Sequence, residues 1–120
     1  VALGTFLLWK DIDDGLIVTT DYNWAQGMHG LFGLMVIPLL AIVLLIVSFF
    51  AHIRGGVKWA GIVLGLVLLQ VVLAFTSFGI PAVGALHGLN AFAVLFAADF
   101  AARRVDKADV ASETSVAAAV

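Results

Sequence analysis

Apolar residues run almost unbroken over 24–51, 59–78 and 82–102 of the chain, and polar positions collect in the short breaks between them. Each run is long enough to cross a lipid bilayer as a helix, which takes about 20 residues. Pro38 falls in the middle of the first run and predicts a kink there, which helices in lipid tolerate because neighbouring groups re-satisfy the freed carbonyl. Residues 52–58 form a tight polar turn around Gly55-Gly56, and Gly79-Ile80-Pro81 separates the second run from the third.

The chain opens on a shorter apolar stretch, residues 1–9, that cannot span alone. Without basic residues ahead of it or a small-residue cleavage site after it, it does not read as a signal peptide. It reads as the second half of a helix whose start lies before Val1, the alternative being an N-terminus left by processing. His29-Gly30-Leu31 opens one run and His87-Gly88-Leu89 opens another, while Val1-Ala2-Leu3-Gly4 resembles Val71-Val72-Leu73-Ala74. Two copies of a helical hairpin are implied. The expected fold is all-α: an integral membrane bundle over residues 1–104 with three complete spans and the C-terminal half of a first one. Residues 105–120, small, polar and Ala-rich, are expected to be a disordered tail.

Composition sharpens this picture. Hydrophobic residues make up 63% of the 120 and charged ones 12%, about half the usual charged share of a soluble domain. No charge occurs between Asp21 and Arg54, or between Lys58 and Asp99. The absence of cysteine excludes disulfides, thiolate chemistry and iron–sulfur ligation. A net charge of −2 without a basic patch beyond the membrane flanks argues against nucleic acid as a partner, and there is no Gly-rich phosphate loop. Five of the six basic residues, Arg54, Lys58, Arg103, Arg104 and Lys107, fall in the 52–58 turn and after the last run, whereas the 10–23 loop holds only Lys10 beside Asp11, Asp13, Asp14 and Asp21. By the excess of positive charge on cytoplasmic loops, the turn and the C-terminal tail face the cytoplasm and the acidic loop faces outward. Trp9, Tyr22, Trp24 and Trp59 fall at the expected membrane–water boundaries, where amphipathic rings settle.

Within this frame His29 and His87 are the candidate chemistry. Each lies a turn or two inside the outer end of its span, and the two spans run in the same direction, so the imidazoles should sit at similar depth. Neutral imidazoles so placed are the arrangement that holds one haem iron from both sides. Gly27, Gly30 and Gly33 surround the first histidine, and Gly84 and Gly88 the second, leaving room for a flat macrocycle. The candidate cofactor-binding residues are therefore His29, His87, Gly30 and Gly88, with His29 and His87 as metal ligands of haem b. A packing role explains the same residues: small residues four apart are the ordinary device for close helix contact in membranes. Gln70, mid-span, is expected to hydrogen-bond a neighbouring helix. Asn90 shares a face with His87 and can orient it or pair with Gln70. Asp99 and Arg103 read as an i, i+4 ion pair. His52 needs no role beyond its turn, and Asp11, Asp13 and Asp14 match no calcium loop.

These features taken together, one histidine opening the second helix of a four-helix hairpin repeat and one the fourth, resemble one half of haem A synthase. The closest stretch runs from Leu69-Gln70-Val71-Val72-Leu73 through Gly79-Ile80-Pro81 to Ala85-Leu86-His87. Small four-helix proteins of bacterial membranes share the pattern, including the approach from Trp24 to His29 and the Leu86-His87 to Asn90 stretch. The chain departs from the synthase in having Gly30 where an arginine commonly follows the first histidine, and in lacking the outer-loop cysteine pair. The resemblance implies at most a haem-binding scaffold rather than haem hydroxylation. A second likeness, in size, Ala/Val/Gly richness and topology, is to accessory subunits of actinobacterial respiratory supercomplexes. The leading expectation is a non-catalytic accessory subunit of the bacterial plasma membrane, packed against other subunits of a respiratory-chain complex. The alternative is a bis-His haem b protein for electron or haem transfer.

Overall fold

The computed structural model describes residues 12, 14, 15 and 24–117. The expected half-helix over 1–9, most of the acidic loop and the boundary positions Trp9 and Tyr22 lie outside the described residues. The fold is all-α. Helix α1 (Trp24–Leu31) passes through a π-helical stretch (Phe32–Val36) into α2 (Ile37–Phe50), followed by α3 (Gly56–Thr76) and α4 (Pro81–Ala117). Among the described residues three helical segments are long and apolar enough to cross a membrane, Gly27–Phe50, Gly56–Thr76 and Pro81–Ala108.

The kink expected at Pro38 takes the form of a widened turn just before it. Proline has no N–H to give the carbonyl four residues back, and its ring crowds that carbonyl. The turn opens to the π pattern instead, with the Ile37 N–H donating to the Phe32 oxygen five residues back. Pro38 then sits in the first turn of α2, where a missing N–H costs nothing.

Helix α4 departs from the expectation. The last span was expected to end at 102, with residues 105–120 disordered; the helix instead continues through Ala117. After Gly88 the chain contains neither glycine nor proline, and alanine, the strongest helix former, recurs along the tail. Asp99 and Arg103 support the extension with an i, i+4 ion pair of 2.7 Å, as does the Thr114 hydroxyl, which donates to the Val110 carbonyl at 2.8 Å. At 37 residues the helix is about 55 Å long, well beyond a hydrocarbon core of about 30 Å.

Helices α3 and α4 are antiparallel and interlock along one stripe of each. Ala60, Val63 and Val67 are buried on α3, Ser77 just past its end, and Gly84, Gly88, Asn90 and Ala97 on α4. Ala41 of α2 completes the core with Val63, Val67 and Ala97. These buried side chains are small, as close helix approach without large interdigitating residues requires. The large ones face outward: Phe50 is 74% exposed, Phe96 68% and Met35 65%. Such a surface is stable against lipid, where outward apolar residues need no cover.

Candidate functional site

The site forms at the end of the bundle remote from the 52–58 turn. Gln70, three residues beyond buried Val67 on the packed stripe of α3, crosses to α4 and meets His87. The Gln70 side-chain nitrogen donates to the His87 carbonyl at 3.0 Å and lies 3.2 Å from His87 Nε2. His87 Nδ1 lies 3.1 Å from the Gln70 carbonyl oxygen. A carbonyl only accepts, so Nδ1 carries the proton and Nε2 keeps its lone pair. Asn90, one turn further along α4, donates through its side-chain amide to the Gln70 side-chain oxygen at 2.7 Å and to the Leu66 carbonyl at 2.9 Å. Both roles considered for these residues are met: Gln70 bonds a neighbouring helix, and Asn90 pairs with it.

His29 of α1 joins the group from the other side. Its ring centre lies 6.4 Å from that of His87, with the ring planes 65° apart. His29 is exposed and His87 half-buried. Both open on a cavity of about 440 Å³ between α1, α3 and α4. Gly30 and Gly33 form its wall on the α1 side; a methyl group added to either would meet nothing within 4 Å. The π-helical stretch contributes Leu34 beside Gly33, and Ile37 follows it. Val71, Ala74 and Phe75 line the α3 side.

The four expected site residues divide. His29, Gly30 and His87 line the cavity, but Gly88 does not. It is buried on α4, and Ala91 and Val94 supply the cavity wall from that helix. The apolar lining by Phe75, Phe78 and Val94 carries no signature in the sequence, because an apolar side chain in a membrane span is unremarkable until its neighbours are known. Gln70 stands out in the sequence as the one strongly polar residue near mid-span and Asn90 as a possible partner, whereas its contacts with His87 are visible only in the structure.

An apolar chamber of this size with a few convergent polar groups is the usual form of a small-molecule or cofactor site. Among the described residues no three or more His, Cys, Asp or Glu gather as they would to hold a metal ion. No protein-family model, curated protein or solved structure matches the chain.

Proposed function

We propose that this is a multi-pass protein of the bacterial plasma membrane that binds haem b between His29 and His87 and serves electron or haem transfer. The 6.4 Å between the two ring centres, at the wall of one apolar cavity, carries the reading. If haem is bound, His29 and His87 are the residues that would ligate its iron, and their rings are close enough to share one metal atom. A bare ion would need three or four protein ligands. Two histidines suffice where a porphyrin supplies the remaining positions. Gly30 and Gly33 leave one wall open to a flat face, and His87 Nδ1 is held on the Gln70 carbonyl, the outer hydrogen bond that fixes tautomer and ring orientation in a ligating histidine. Gln70 also approaches His87 Nε2 at 3.2 Å; ligation requires that contact to yield, and the amide keeps its 3.0 Å bond to the His87 carbonyl. When bound, haem supplies one-electron redox chemistry. The chain supplies two imidazoles, an apolar pocket and the polar network behind one of them. The resemblance to one half of haem A synthase points the same way, as does the rarity of ionisable groups at this depth without a function.

The test is the absorption spectrum of protein purified from cells supplied with haem precursor. Sharp reduced-state bands of a low-spin bis-His haem are expected, lost in both His29→Ala and His87→Ala. A wild-type protein that stays colourless, and fails to bind added haemin, overturns the reading.

A second reading, a non-catalytic accessory subunit of a respiratory-chain complex, is favoured by α2. That helix buries only Ala41 and turns Leu39, Leu40, Phe49 and Phe50 outward, a face suited to partner helices as well as to lipid. In both readings the 52–58 turn and the C-terminal tail face the cytoplasm, on the division of basic residues.

A further inference from the structure

A second cleft, of about 400 Å³, lies at the opposite end of the bundle from the histidines, where the turn between α2 and α3 meets α4. Arg54, Arg103, Arg104 and Lys107 line it together with Ile53 and Phe100, and no acidic side chain among the described residues does. Asp99 accounts for Arg103 through its 2.7 Å ion pair, and Asp106 also acts on that guanidinium. Arg54, Arg104 and Lys107 remain as cations facing one space.

Arg104 is held in place by apolar and backbone groups. Its guanidinium lies 5.2 Å from the Phe100 ring centre and 5.6 Å from that of Trp59, and those two rings sit 4.4 Å apart. Its Nη1 reaches the Arg54 carbonyl at 3.5 Å. Gly55, in the left-handed region at φ 79°, makes this approach possible, since a Cβ there would come within 3.0 Å of the same nitrogen. Arg104 Nε is buried and has no hydrogen-bond partner among the described residues. An oriented guanidinium with an unused buried donor, beside two further cations, is short of an anion.

We propose that this cleft binds the phosphate of an anionic phospholipid headgroup. Its position favours a lipid over a soluble anion. The cleft caps two apolar spans, Gly56–Thr76 and Pro81–Ala108, and the exposed rings of Phe50 and Phe96 lie on the same half of the bundle, where acyl chains would run. Trp59 and Phe100 mark the level at which aromatic side chains meet headgroups. Basic pockets between membrane helices select anionic headgroups in this way, and Arg recognises phosphate through a fork of donors that Lys lacks. The assignment is independent of haem binding.

The test uses the full chain, purified in detergent and exchanged into bilayer discs of phosphatidylcholine with and without phosphatidylglycerol, with retained lipid read by native mass spectrometry. Wild-type protein should keep phosphatidylglycerol in preference to phosphatidylcholine. Removing one cation, in Arg104→Gln or Arg54→Gln, should lower that retention about fivefold. Arg54→Gln is included because Arg54 is exposed, and it leaves the Arg104 contacts with Trp59 and Phe100 in place. Equal retention of the two lipids by the wild type, or unchanged retention in Arg54→Gln and Arg104→Gln, overturns the proposal. Inorganic phosphate that stabilises the detergent-solubilised protein as strongly as phosphatidylglycerol does overturns the lipid assignment in favour of a free anion.

Discussion

Gln70 and His87 grip each other at two points: the glutamine amide nitrogen lies 3.2 Å from His87 Nε2, and His87 Nδ1 lies 3.1 Å from the Gln70 carbonyl oxygen. Backbone and side chain of one residue thus hold both nitrogens of one ring, and the ring's orientation toward the cavity is set by α3 rather than by its own helix.

Gln70→Leu should therefore remove the contacts to His87 Nε2, to the His87 carbonyl and to the Asn90 amide, while Nδ1 keeps its bond to the backbone carbonyl of residue 70. The expected loss is about 1–2 kcal/mol, at the upper end for interhelical hydrogen bonds in membranes because several bonds go at once. Combined with Asn90→Ala the loss should fall short of the sum by about 0.5 kcal/mol, since the two side chains share a bond. Unfolding in mixed detergent measures both, and strictly additive losses would show that the residues act separately.

Gly88→Leu should disrupt the bundle more than Gly61→Leu. Gly88 is buried on α4 and Gly61 is exposed on α3, with nothing within 4 Å of an added Cβ at Gly61. Overpacking at Gly88 should cost about 1–3 kcal/mol. Equal yield and equal thermal stability of the two proteins in detergent would contradict this.

Gly55→Ala and Gly65→Ala should differ in sign. Gly55 has φ 79° and faces Arg104 Nη1, whereas Gly65 lies mid-helix in open space. The first substitution should destabilise by about 1–2 kcal/mol through left-handed strain, and the second should stabilise by about 0.5–1 kcal/mol through helix propensity. Melting temperatures of the two variants against wild type decide it.

Ala74→Phe should fill the cavity without disturbing either histidine. Haem binding is expected to fall at least tenfold while thermal stability stays within about 1 kcal/mol of wild type, because the new ring enters space that is already there. Titration with haemin, followed by absorbance, reads the affinity. Undiminished binding would place the ligand elsewhere.

A single cysteine placed in the tail after Arg104 should be protected from a membrane-impermeant reagent in intact cells, and one in the 10–23 loop should be modified. The opposite pattern would invert the orientation inferred from the basic residues. In the purified protein, removing residues 108–120 should lower the helical circular dichroism signal, as the helix through Ala117 requires; a disordered tail would leave that signal unchanged.

The three long apolar runs by themselves determined three helices able to cross a bilayer, because in lipid a segment of that length must satisfy its own backbone bonds locally. Local too was the significance of His29, His87 and Gln70, since polar side chains stand out wherever everything around them is apolar. The continuation of α4 through Ala117 is local too: a stretch without glycine or proline continues a helix, and small polar composition alone does not end one. The tertiary structure decided what depends on register. The antiparallel alignment that sets Trp59 beside Phe100 also sets Gln70 beside His87, and the distance between two segments far apart in sequence follows from which small residues interlock along α3 and α4. The cavity between α1, α3 and α4 and the approach of Arg104 to Gly55 both follow from that packing. A residue's own identity does not report its neighbour across an interface, so the histidines could be recognised from the sequence while their 6.4 Å separation could not.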